Sequence, residues 1–412
     1  MDFSYTPTVE ALREKLRKFV EERVIPSEPI YERQIKASGD PHHHPRIMED
    51  LKAEARAQGM WTLFLPDAEH GGGLSVTEYA PLAEITGHSP DMAPEAINCS
   101  APDTGNMEIL HMFGTPYQKE RWLHPLLEGE IRSVISMTEP DVASSDPRNI
   151  RTRIDRDGDY YVIRGRKWVS SGDASSRAMV AIVMGVTNPD ADSYRRQSMI
   201  LVPLDIPGVI VEHTPTVFGY QHRGGHATIH FDRVRVPAEN LLGTEGSGFA
   251  IAQARLGPGR IHHCMRAIGA AERAFAMMVS RAKARTAFRK TVASQGVVRE
   301  WIAESRMRIE QARLLVLKTA WMIDKVGVKA ARVEISAIKV VVPEMLCYVA
   351  DRAIQVFGAA GFTDDFPLAS IYTMGRWLQM ADGPDEVHRR AVARAEIARF
   401  EPGFVPDLYV WD

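Results

Sequence analysis

The sequence predicts a multidomain α+β chain with an N-terminal helical domain over 1–132, a middle antiparallel β-barrel domain over 133–245 and a C-terminal four-helix-type bundle over 246–412. Three observations carry this. Apolar residues recur at helical spacing up to about residue 130. Short β-branched runs separated by turn residues follow. Helical spacing then returns near Gly248 and holds. Strands and helices do not alternate along the chain, which disfavours a Rossmann sheet.

The first helix is predicted over 9–24, where Leu12, Leu16, Phe19, Val20 and Val24 form an apolar stripe that Pro26 should end. A second amphipathic helix is expected over 48–60 and others over 77–86 and 116–127, the last opened by Thr115 as cap and Pro116 in the first turn. Gly71, Gly72 and Gly73 mark a loop. Strands are predicted over 160–163, 179–184, 198–203, 209–213 and 228–236, between turns at Asp157-Gly158, Asn188-Pro189-Asp190 and Pro207-Gly208. Ile302, Ile309, Val316 and Ile323 stand seven apart, as a long helix in a bundle or at an oligomer seam requires. Further helices are expected over 333–357 and 384–400.

Composition narrows the function classes. Of 412 residues, 50 are Lys or Arg and 53 Asp or Glu, for a net charge of −3, which argues against nucleic acid as a partner. Cys99, Cys264 and Cys347 are too scattered for a disulfide framework or a CxxC site, as expected of a reducing compartment. The first residues carry no signal-peptide pattern, and the apolar run 178–186 is under half a membrane span. The expectation is a cytoplasmic protein with no membrane span.

Several patterns are discounted. His42-His43-His44 lies between prolines and reads as a solvated loop. His222, His226 and His230 have helical spacing, but Gly224 and Gly225 interrupt it, so no metal site is predicted. The glycines at 243, 246 and 248 lack a phosphate loop's Lys-Ser/Thr ending and read as a turn. Between Arg260 and Arg299, nine Lys or Arg face one acid, Glu272. That is either a solvated helix face or a field for a phosphorylated small molecule. The segment QVFGAAGF over 355–362 fits close backbone approach to a ligand, and equally a helix end with a tight turn. In ADGPDE over 381–386, Asp382 reads as a helix cap or as a carboxylate set at a helix entrance.

Together these segments resemble the acyl-CoA dehydrogenase family along nearly the whole chain. MTEPDVASSD over 137–146 is similar to the family's flavin loop, and KWVSSG over 167–172 to the strand that meets the isoalloxazine. RTAF over 285–288 resembles the arginine motif that clamps the cofactor from a neighbouring subunit, and 355–361 the loop that meets the FAD pyrophosphate across that interface. The family's base precedes the last helix, usually as Glu-Gly-Thr; here Asp382-Gly383-Pro384 stands there, as in the branch with aspartate as base. That branch includes bacterial enzymes and the dehydrogenase half of animal proteins fused to a kinase-like domain.

The resemblance implies FAD as cofactor and α,β-dehydrogenation of an acyl-CoA in fatty acid β-oxidation. It implies an electron-transfer flavoprotein as acceptor and a homotetramer or homodimer, because each FAD needs two subunits. Met137, Thr138 and Ser170 are expected at the flavin ring, with Trp168 covering one face. Ser145 is expected at the flavin phosphate or the CoA, and Arg285, Gln295, Gln355 and Ala359 at the ADP half of a neighbour's FAD. Arg260 and Gly383 are expected beside substrate with Asp382. Pro384 replaces a threonine and Glu386 a glutamine among the cofactor contacts, and an added acid near a pyrophosphate is unfavourable unless solvated or paired. Within the fold, the rivals are oxidase or non-redox chemistry on a 4-substituted acyl-CoA, such as a 4-phosphorylated one. The rival outside it is a flavin-free interaction protein.

Overall fold

The structure, a computed structural model, describes residues 4–172, 174–220 and 224–400. Its first part is helical: α1 Pro7–Phe19, α2 Ile25–Ser38, α3 Arg46–Ala57, α4 Val76–Thr86, the short α5 Ala93–Ala96, α6 Asp103–Phe113, and the single turns α7 Pro116–Gln118 and α8 His124–Leu127. The predicted stripe on the first helix is real: Leu16, Phe19, Val20 and Val24 are buried. Pro26, however, does not end the helix. A π-helical turn, Val20–Val24, joins α1 to α2, and Pro26 falls in the first turn of α2. The wider turn re-sets the ladder, so a proline lacking an N–H is tolerated where an uninterrupted α-helix would break. Thr115 caps as expected, in a reciprocal box with Gln118, and Ser75 does the same with Glu78. Such caps contribute roughly 1 kcal/mol each.

The second part is one eight-stranded sheet: β1 Arg132–Ser136, β2 Arg153–Asp157, β3 Tyr160–Ser171, β4 Ala178–Val186, β5 Gln197–Pro203, β6 Val209–His213, β7 His226–Pro237 and β8 Leu241–Leu242. The strands run β6-β7-β3-β1-β4-β5-β8, with β2 joining β3 and β4. The antiparallel expectation needs one correction. β1 lies parallel to β4, and β2 meets β4 in the same sense. The long excursion between β1 and β4 permits this, because parallel neighbours need a long crossover. Ile163, Val183, Val202, Ile229 and Phe231 fill a core within the sheet. Ile182, Met184 and Leu201 turn the other way into the helical core. Burial on both faces explains why β4 and β5 read as unbroken apolar runs.

The third part holds α9 Gly248–Ala284, a hairpin of β9 Thr286–Ala287 and β10 Lys290–Thr291, then α10 Gly296–Val326, α11 Arg332–Phe357, α12 Leu368–Leu378 and α13 Asp385–Ile397. Ile309, Val316 and Ile323 are buried on α10, so the seven-residue seam faces the bundle. Among the described residues no helix is long and apolar enough to cross a membrane. His222 and the C-terminal residues 401–412 lie outside the described residues.

Candidate active site

The site begins in the turn between α12 and α13. Asp382 has φ +55°, a left-handed backbone conformation that aspartate tolerates better than most side chains. Gly383 follows at φ +104°, and a Cβ added there would stand 3.1 Å from His388 Nε2. Pro384 then occupies the N-cap of α13 and offers no side-chain cap. Three groups fix the turn from below. Arg260 Nε donates to the Asp382 carbonyl at 3.0 Å, and His388 Nε2 lies 3.3 Å from the same oxygen. His263 Nε2 stands 3.7 Å from Asp382 Oδ2. The Asp382 N–H meets no acceptor among the described residues. It is a donor left available for a ligand oxygen.

Asp382's side chain is 19% exposed. Burial pushes its carboxyl up, but the field of His263, Arg255, Arg260 and Lys339 outweighs that and holds it below its ordinary value. Burial in turn pushes His263 down to about 3 and His388 to about 4, so both rings are neutral near pH 7. The standing cations beside Asp382 are therefore Arg255, Arg260 and Lys339. Arg255 is buried, with Nε donating to Asn106 Oδ1 at 2.8 Å. Lys339 is buried and bonded to the Leu378 carbonyl. The sequence reading named Arg260 and Asp382; it missed His263, Arg255, Lys339 and His388. Only His388 has a local signal, two residues beyond the ADGPDE segment.

A second surface lies where β3 meets the loop after β1. Trp168 N–H donates to the Thr138 carbonyl at 3.1 Å, and Thr138 Oγ1 donates back to the Trp168 carbonyl at 2.6 Å. The β3–β7 register shifts between Lys167 and Ser170, Val169 takes φ +50°, and the bulge leaves Trp168 45% exposed. A bulge is one way a strand re-aims a side chain. Met137 packs at the edge of the helical core. Ser170 is buried with its hydroxyl 2.8 Å from Ser136 Oγ, so of the expected ring contacts it is the least available. Under the loop sits a buried pair that the sequence reading did not single out. Lys167 Nζ donates to Glu139 Oε1 at 2.8 Å and to the Met137 carbonyl at 2.9 Å. Glu139 also accepts the N–H groups of Arg151 and Thr152. Ser144 holds the loop through the Glu139 N–H, while neighbouring Ser145 is exposed.

The remaining expected cofactor residues are at the surface. Arg285, Gln355, Ala359 and Glu386 are exposed, and Gln295 sits half-buried at the N-cap position of α10 with no capping hydrogen bond from its side chain. Phe288, at the tip of the β9–β10 hairpin beside Arg285, is 94% exposed. The basic run is partly absorbed by structure: Arg266 is buried against the Cys99 carbonyl, and Arg273 pairs with Glu28.

Residues 6–130, 134–234 and 246–397 match, in turn, the N-terminal, middle and C-terminal domains of acyl-CoA dehydrogenases. The chain belongs to the acyl-CoA dehydrogenase family. It is 57% identical over 405 residues to a probable acyl-CoA dehydrogenase, FadE2, of Mycobacterium tuberculosis, covering 98% of this chain and 99% of that one. It is 50% identical to mouse acyl-CoA dehydrogenase family member 11, covering 93% of this chain but 49% of that longer protein. Among solved structures, one from Mycobacterium abscessus, provisionally described as an acyl-CoA dehydrogenase, superposes with a TM-score of 0.94 at 48% identity, covering 97% of this chain and all of that one. The family is one of flavin-dependent oxidoreductases acting on acyl-CoA.

Proposed function

We propose that this acyl-CoA dehydrogenase uses FAD and takes the α-proton of its acyl-CoA thioester on the Asp382 carboxylate. The observation that carries this reading is the Asp382 turn, which presents an ionised carboxylate and a free backbone N–H from one residue. An α-C–H beside a thioester is a poor acid, so the developing enolate oxygen needs hydrogen-bond donors. The Asp382 N–H is one such donor. Arg260 and His388 hold the Asp382 carbonyl and so fix the Asp382–Gly383 peptide, on the other side of the same residue. A bound acyl chain expels water from the carboxylate, which raises its basicity toward the working pH.

FAD, when bound, supplies the two-electron acceptor for the β-hydrogen. Trp168, Thr138 and Met137 suit it: an isoalloxazine needs a flat apolar cover and polar groups at its edge; the bulge on β3 supplies the first with Trp168, and the loop after β1 the second with Thr138. Ser145 is at hand for a phosphate, and Pro384 and Glu386 flank the turn at the start of α13. Arg285, Gln295, Gln355 and Ala359 would serve the ADP half in a neighbouring subunit of a homodimer or homotetramer, with an electron-transfer flavoprotein as the acceptor. Arg260, only partly buried beside Asp382, is the cation that a polar substituent on the acyl chain would meet.

The test is Asp382→Asn. The variant should keep its flavin and lose anaerobic bleaching by acyl-CoA by at least about 10³-fold. Bleaching at the parental rate would remove Asp382 from the role. Purified protein without flavin absorbance would remove the cofactor.

A further inference from the structure

The sequence reading predicted no metal site, because its histidine runs sit in the wrong local structure. The fold assembles a different set from distant positions. Asp67 and His70 lie on the loop before the glycines at 71–73, and His111 lies on the last turn of α6. One ligating atom from each lies within 4.8 Å of the others. Asp67 Oδ2 stands 3.5 Å from His70 Nδ1 and 3.3 Å from His111 Nε2. A tetrahedral ion with ligands at about 2.1 Å places its donor atoms about 3.4 Å apart. The two separations already match that spacing.

The surroundings prepare the donors. Asp67 Oδ1 accepts the N–H groups of Glu69 and His70 at 2.7 and 3.2 Å, which fixes the carboxylate and leaves Oδ2 facing the rings. His70 Nδ1 is buried without a hydrogen-bond partner, an unsatisfied atom that a cation would satisfy. The His124 ring stacks on His70 at 5.8 Å with planes 17° apart, which holds its orientation. The loop packs closely on the preceding chain, since Cβ atoms added at Gly71 and Gly72 would fall 2.4 and 2.9 Å from the Leu65 and Leu63 carbonyl oxygens. Outer contacts of this kind orient metal ligands elsewhere.

We propose that Asp67, His70 and His111 bind one divalent transition ion of the Zn²⁺ type, with its remaining position open to water. Two imidazoles and one carboxylate favour such an ion over Mg²⁺ or Ca²⁺, which take oxygen ligands. The ion ties the 66–73 loop to α6. Its role is structural, since α6 also carries Asn106, which orients Arg255 beside Asp382.

The experiment uses tag-free, flavin-loaded protein stripped with EDTA and titrated with Co²⁺ and then Zn²⁺. One Co²⁺ per chain should bind with the visible bands of a low-coordinate N/O site, Zn²⁺ should displace it, and the melting temperature should rise. His70→Asn and His111→Asn should each weaken Zn²⁺ binding by at least about 10- to 100-fold, the loss that removal of an outer partner alone causes. His42→Asn combined with His43→Asn, in the histidine run before α3, should leave it unchanged. A wild-type Co²⁺ spectrum no different from the hydrated ion overturns the proposal without any variant. So does undiminished affinity in His111→Asn, or binding that disappears with His42 and His43.

Discussion

At the scale of single residues, the α12–α13 turn decides what Asp382 can do. A helix start lowers a carboxylate's pKa and burial raises it. In the fold, burial is opposed by cations from two other helices, Arg255 and Arg260 on α9 and Lys339 on α11. His263 and His388 are neutral because burial pushes them down to about 3 and 4. Free enzyme should therefore hold its base ionised down to the ordinary aspartate pKa of about 3.9 and somewhat below. A folded pKa below the unfolded one also means that this group's contribution to stability is present above about pH 3.9 and lost as pH falls through the folded value. The predicted kcat/KM profile is flat from about pH 8 to about pH 5, with no histidine inflection at about pH 6.5. Anaerobic flavin reduction at limiting acyl-CoA measures it, and an inflection at about pH 6.5 would mean that His263 or His388 titrates with the base.

At the scale of elements, α6 illustrates a buried group that works against the fold. Glu108 is buried on α6, its Oε2 has no hydrogen-bond partner, and burial pushes its carboxyl up to about 8, with Arg255 opposing. It is neutral in the folded chain at pH 7 and ionised in the unfolded one. A raised folded pKa gives stability that is complete below about pH 4.3 and is lost as pH rises toward about 8. Glu108→Gln should thus stabilise by about 1–3 kcal/mol at pH 8, and by progressively less toward pH 5. Melting temperatures of the two proteins across that range check this. A pH-independent difference would mean that Glu108 is charged in the fold. Elements with one strong period were legible in the sequence: α10 from its seven-residue repeat, and β4 and β5 from β-branched runs. What escaped was set by tertiary context. β1 and β2 are five residues each and polar at their ends, so neither reaches a readable alternation. Pro26 misled because a π-turn is a local adjustment that no period announces. The site divides similarly: residues in contiguous motifs, such as Thr138, Trp168 and Asp382, could be found, whereas His263, Arg255 and Lys339 meet Asp382 only after α9, α11 and α12 pack.

At the scale of the whole molecule, the distribution of exposed groups bears on assembly. Met307, Leu314 and Trp321 stand seven apart on α10, on a face separate from the buried seam, and are 52%, 49% and 50% exposed. An apolar stripe of that period is what a partner helix covers. Phe288 projects from a two-residue hairpin whose neighbour, Arg285, is the residue proposed for another subunit's FAD. If each FAD is completed by two chains, cofactor retention and assembly are one equilibrium, because a ligand that binds only the assembled form stabilises it by mass action. Phe288→Asp places a charge where a neighbour's apolar surface should sit. It should lower the mass seen by light scattering and release FAD in the same concentration range, with the fold intact by circular dichroism. Simple dilution of the wild-type protein should link the two readouts in the same way, at lower concentration. A wild-type monomer that keeps its full flavin on dilution would show that one chain holds the cofactor alone. The surface positions Arg285, Gln295, Gln355 and Ala359 would then need another explanation.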